Sequence, residues 1–247
     1  MCLPYIAPWL LCCAWSHWSS LGRTVGQAAA LLKRILLAVL FALTACAPAV
    51  GVVTPQLVKV YITSAASSRL GDLYNCSAPS IAISLSDAGS ADITLRLGPP
   101  DGLSSPAFQI GTEDVLVIVQ SQNSLNQLTA NQVHAIFLGQ VTNWKDLDGM
   151  DMPIQVWTYA QGEDVQQVFE QDVMENQQVT SFARLAVSAQ DMLNSVANDP
   201  DSIGFLPAAW MKGKVKNMYT VASVPLLAIT RSQPQGALKE LIACLQK

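Results

Sequence analysis

The sequence predicts an α/β fold with mostly parallel strand pairing. Three observations carry that expectation. Apolar runs of strand length alternate with segments of helical periodicity, the run Val115–Gln120 is apolar almost without interruption, and Pro and Gly punctuate the joins. A near-continuous apolar run is what a strand covered on both faces requires.

In chain order, Val58–Ile62 (VKVYI) reads as the first strand and Ser64–Tyr74 as a helix carrying Leu70, Leu73 and Tyr74. Ile81–Leu85 and Ala91–Leu97 are the second and third strands, and Pro99, Pro100, Gly102 and Pro106 mark a long loop before the apolar run. A short helix follows. Thr129 and Gln132 form a capping box, Leu128 and Val133 a hydrophobic staple, and Val133, Ile136 and Phe137 share one face. Gly139 supplies the left-handed residue that ends it. Ile154–Thr158 is a strand, and a helix beginning near Glu163 places Val165, Val168, Phe169 and Val173 at helical spacing. A helix around Ala189–Ala197, the strand Ile203–Leu206, one helical turn at Pro207–Trp210 and the strand Val224–Ile229 come next. Ser232 and Pro234 start a last helix with Leu238, Leu241, Ile242 and Leu245 on one face.

Upstream of this pattern, Lys33 and Arg34 precede the apolar run Ile35–Ala42, and Leu43-Thr44-Ala45-Cys46 follows. A basic start, a short apolar stretch and small residues before a cysteine make an export signal. The four-residue ending resembles a bacterial lipobox, with Cys46 as the lipidated mature N-terminus. The competing reading, a membrane-spanning anchor, needs ~20 apolar residues, more than this run has. Residues 1–25, upstream of a complete leader, are expected to arise from a mis-assigned start, and 26–45 to be the signal peptide. Residues 46–56 read as a tether.

About 200 residues remain after Cys46, enough for one domain with a sizeable core or two small lobes. Acidic residues outnumber basic ones, 18 to 14, and no Lys/Arg cluster follows the leader. Nucleic-acid binding is not expected, because it needs a positive footprint. Cys76 and Cys244 remain once lipid takes Cys46. In an oxidising compartment they are either a disulfide pair or two buried thiols. A single histidine, His134, follows the leader, and no catalytic or metal-binding motif appears, so neither catalysis nor a cofactor is expected.

Three blocks resemble the phosphate-binding-protein branch of the periplasmic substrate-binding proteins. They are Phe137-Leu138-Gly139 with Thr142-Asn143-Trp144-Lys145-Asp146-Leu147; Ile154-Gln155-Val156-Trp157 leading through Gly162 to Phe169-Glu170; and Asp201-Ser202-Ile203-Gly204-Phe205-Leu206. The resemblance implies two α/β lobes, each with a mostly parallel sheet, closing on a small ligand. Residues 57–119 and 207–247 would form the first lobe and 120–206 the second. Cys76 and Cys244 would then share the first lobe, which favours the disulfide. An ABC-type permease or a sensor would be the partner, with the lipid tying the protein to the membrane.

The same resemblance locates the site. Ser64 and Ser67 offer hydroxyls from the first loop, and Arg96 stands at the end of the third strand. The family's oxyanion turn falls on Tyr159, Gln161, Gly162, Glu163 and Asp164, where Tyr159 replaces an arginine and Glu163, Asp164 and Val165 replace Ser-Gly-Thr. Carboxylates of the ligand's own sign at that helix start disfavour phosphate. The family's phosphate site is therefore expected to be largely lost, with Arg96 paired to Glu163 or Asp164 directly or through one bridging water. Two structural readings compete: the acids merely complement the helix dipole, worth ~0.3–1 kcal/mol, and Ser64 merely caps its helix. Two functions follow: a solute-binding lipoprotein, or a structural or partner-binding one with a degenerate, self-occluded cleft.

Overall fold

A computed structural model describes residues 54–247; the expected leader, Cys46 and most of the tether lie outside those residues. The strands are β1 (Gln56–Ile62), β2 (Ile81–Leu85), β3 (Ile93–Leu97), β4 (Ala107–Gln120), β5 (Gln155–Tyr159), β6 (Arg184–Ala186), β7 (Ser202–Pro207) and β8 (Val215–Thr230). The helices are α1 (Leu70–Asn75), α2 (Ala130–Phe137), α3 (Asp164–Asp172), α4 (Ala189–Asn198) and α5 (Gly236–Leu245). Among the described residues no helix is long and apolar enough to cross a membrane.

All eight strands join one sheet in the order β2-β1-β3-β8-β4-β7-β5-β6. Each wing is parallel, β2-β1-β3 on one side and β7-β5-β6 on the other. The centre is antiparallel, where β8 pairs β3 and β4, and β4 pairs β7. The two long strands β4 and β8 run through both wings, with register shifts at Gln109/Gly111, Val115/Leu116 and Val117/Ile118. Such shifts bend and twist a strand pair locally.

The helix α2 forms as its sequence predicts. Thr129 accepts the Gln132 N–H while the Gln132 side chain accepts the Thr129 N–H, and Gly139 turns at φ 76°. Its buried face delivers Phe137 to a cluster with Phe169 of α3 and Phe205 of β7. The Phe169 and Phe205 rings stack at 3.9 Å, and Tyr159 meets Phe205 edge-on at 5.4 Å. Trp144 is also core, its indole N–H donating to the Asp201 carbonyl. At Gly204 the backbone of β7 approaches α4 so closely that a Cβ would lie 2.3 Å from the Met192 sulfur. That contact explains a glycine inside an otherwise fully buried strand.

Four expectations change. The first helix is a 3-10 turn, Ala65–Arg69, followed by the short α1. The turn at Pro207–Trp210 is 3-10 and spans Ala208–Trp210, with Pro207 closing β7. β4 and β8 begin eight and nine residues before the predicted strands, and the edge strand β6 is additional. The last helix starts at Gly236, where Gln56 accepts the Ala237 N–H. The disulfide forms: Cys76 after α1 and Cys244 on α5 are joined, with Cα atoms 5.7 Å apart.

Candidate functional site

The wings meet where α3 begins. Glu163 is the N-cap of α3 in extended conformation, and its side chain makes no capping bond. Asp164, the next residue, is 2% exposed. Its Oδ1 accepts the Val165 N–H at 2.9 Å from its own helix. Its Oδ2 crosses to the other wing, accepting the Thr63 hydroxyl at 2.6 Å and the Leu97 N–H at 2.8 Å. A carboxylate buried this deeply is tolerable only because its oxygens are satisfied.

Both partners come from the ends of parallel strands. Thr63 follows β1 and Leu97 ends β3, so the C-terminal edge of that wing presents one hydroxyl and one backbone N–H to the same oxygen. The Thr63 oxygen also accepts the Ala66 N–H at 3.3 Å. Thr63, rather than Ser64, therefore supports the following turn. Ser64 makes no capping bond there; its hydroxyl oxygen accepts the Ala189 N–H at 3.2 Å, at the start of α4 in the opposite wing. Ser67 turns inward on its own loop and donates to the Ser64 carbonyl.

Arg96 makes no direct ion pair with Glu163 or Asp164. Its guanidinium donates to the Gln167 Oε1 at 2.7 Å, one turn further along α3. The Asp164 carboxylate is taken by neutral donors in the interior, and Arg96 reaches the half-buried Gln167 of the same helix instead. Burial lowers the Arg96 pKa from its ordinary value, and the nearby Asp164 charge opposes that shift. Glu163 is raised, first by burial and then by repulsion from Asp164.

The remaining expected residues are divided. Tyr159 is a core residue whose hydroxyl is buried without a partner; burial, then Asp164, pushes its pKa up. Tyr159 and Gln161 line a pocket of about 290 Å³ with Gln166, Glu170 and Thr180, all from the same wing. Gly162 makes the turn before α3 at φ 95°. The structure thus brings Ser64, Arg96 and Asp164 to the junction of the wings and adds Thr63, Leu97 and Gln167. Gln167 lies one turn from Asp164 on an amphipathic helix, a spacing visible in the sequence. The Leu97 contact is a backbone N–H and leaves no sequence signal.

A family model described as a PBP superfamily domain matches residues 105–246, more than half of the chain. The chain belongs to the PBP superfamily. A protein described as a phosphate ABC transporter substrate-binding protein from Clostridium perfringens, solved with bound phosphate, superposes with a TM-score of 0.70 at 18% identity. The alignment covers 77% of this chain and 93% of that one. An ABC-type phosphate transport receptor from Vibrio cholerae gives a TM-score of 0.61 at 20% identity over the same shares. The regulatory domain of OxyR2 from Vibrio vulnificus gives 0.57 at 11% identity, over 78% of this chain and 97% of that one. At such identities these structures show the fold, the two-lobe architecture of the superfamily. In this member the two lobes touch through Asp164, Arg96 and Ser64 at the face where the strands of the first lobe end.

Proposed function

We propose that this superfamily member is an exported lipoprotein, acylated on Cys46, in which the phosphate site of its relatives is lost and the interlobe cleft is closed by the protein's own side chains. The lobe limits would be 57–119 with 207–247, and 120–206. The observation that carries this reading is the buried Asp164 carboxylate, which takes the Thr63 hydroxyl and the Leu97 N–H from the opposite lobe. Those donors are no longer free for an anion, and a phosphate entering beside Asp164 and Glu163 would meet two groups of its own sign in a desolvated space.

The phosphate-binding relatives from Clostridium perfringens and Vibrio cholerae belong to ABC transport. That supports a place at the cell envelope beside a permease or sensor. With its cleft self-occluded, the domain would present a fixed shape to that protein partner. A second reading, capture of a small solute, draws on Gln161 and Glu163, which stay at least partly accessible next to the cleft.

Calorimetric titration of the mature domain with phosphate tests the main reading. No heat of binding is expected, and micromolar affinity overturns it. A solute screen by thermal shift that finds a stabilising compound for the wild type favours the second reading, since a ligand at 100 times its Kd adds ~2.7 kcal/mol. Lipidation is tested by labelling cells with a fatty-acid analogue, which should mark the wild type and not Cys46→Ala.

A further inference from the structure

The surroundings of Asp164 have the chemistry of an occupied oxyanion site. Its carboxylate meets no cation: the ion pairs among the described residues are Arg69–Asp72 and Lys145–Asp151, both elsewhere. It is held by neutral donors, namely the Thr63 hydroxyl, the Leu97 N–H and the Val165 N–H at the start of the nine-residue helix α3. Donors from two lobes converging with a helix N-terminus form the usual receptor for a bound anion. Here the anion is covalently part of one lobe.

We infer that Asp164 is a tethered ligand: its carboxylate fills a latent carboxylate-binding site and holds the two lobes together in the absence of any solute. The inference rests on the self-occluded cleft proposed above and says what keeps it shut. Energetically the tether is favoured over a free ion, because an intramolecular ligand does not lose the translational freedom that a free one must. It also defines the latent site's preference. Three neutral donors suit the two oxygens of a carboxylate, whereas the four oxygens of phosphate would remain under-satisfied and would face Glu163. The nearby Arg96 guanidinium is committed to Gln167. A small monoanionic carboxylate is therefore the ligand class that the vacated site would take.

Removing the carboxylate and supplying a free one tests this. In Asp164→Ala, the radius of gyration from small-angle scattering should rise and the melting temperature should fall relative to wild type. Sodium formate should reverse both changes, raising Tm by roughly 3–6 °C at ten times its dissociation constant. Sodium chloride at equal ionic strength should not, and phosphate should act more weakly than formate. Wild type should respond to formate no more than to chloride. Asp164→Leu fills much of the same volume but offers the Thr63 hydroxyl and the Leu97 N–H no acceptor, so it should open the lobes without creating a formate site. The inference is overturned if Asp164→Ala is as compact as wild type, or if wild type and variant respond alike to formate. An alanine variant that folds neither with nor without formate, beside a leucine variant as compact as wild type, also overturns it. The two readings fail separately. Phosphate binding by the wild type would remove the proposed function, whereas a wild type that ignores phosphate beside a variant that ignores formate would remove only the tether.

Discussion

Two adjacent carboxylates have opposite surroundings, and their difference is the chemistry of the site. Asp164 is buried and received by donors from both lobes, while Glu163 is partly exposed and its side chain makes no bond to the helix it caps. Burial and then Asp164 raise the Glu163 pKa from its ordinary 4.5. A raised folded-state pKa means that the fold favours protonated Glu163. The stability this confers is complete below the unfolded value and is lost as pH rises through the folded one. At neutral pH the charged side chain is therefore a liability. Glu163→Gln should melt above wild type at pH 7, and the gap should close as pH falls below about 4.5, where glutamic acid is neutral in both states. Melting curves for both proteins across that range check this, and a gap independent of pH would exclude the electrostatic cause.

At the scale of elements, the sequence was legible where an element is covered and illegible where it is an edge. The predicted parts of the two long strands have a second neighbour over most of their length, β7 beside Val115–Val119 of β4 and β3 beside Leu226–Ile229 of β8. The missed parts, Ala107–Asp114 and Val215–Ser223, have only each other's strand beside them and carry Glu113, Asp114 and Lys216. Charged side chains on an unpaired strand edge disrupt an apolar signal, and they also discourage edge-to-edge association. β6 escaped for the same reason, being three residues at the outer edge of the sheet. The site divided similarly. Asp164 and Arg96 stood out by sequence, but their partners are a backbone N–H, a threonine hydroxyl and a glutamine amide, which no charge pattern marks. The helix α2, by contrast, was readable from both ends because its caps are local. Its capping box should be worth what such caps usually are: Thr129→Ala is expected to destabilise the domain by about 0.5–2 kcal/mol. Urea denaturation would measure this, and a loss confined to a few tenths would assign α2's stability to Val133, Ile136 and Phe137 alone.

For the molecule as a whole, the lobes are connected in two ways with different consequences. β4 and β8 run through both and make separation of the lobes impossible without breaking the central sheet, whereas Asp164, Arg96 and Ser64 contribute side-chain contacts that involve no strand pairing. The Cys76–Cys244 bond belongs to neither set. It joins the end of α1 to α5 across 168 residues of sequence. Closing so long a loop removes much of the unfolded chain's freedom: the chain-entropy model gives about 5 kcal/mol, and removing native disulfides typically costs about 2–5. For a domain of this size, each kcal/mol moves Tm by roughly 2–4 °C. Cys76→Ser/Cys244→Ser is thus expected to melt roughly 5–15 °C below the oxidised wild type. Reductant should bring the wild type down to the same temperature and leave the variant unmoved. The compactness of the closed lobes at 25 °C should stay the same in both, because the bond joins α1 to α5 and carries none of the contacts at Asp164, Arg96 and Ser64. A variant that melts with the oxidised wild type would show that α1 and α5 are held by packing alone, through Leu73, Leu241 and Leu245.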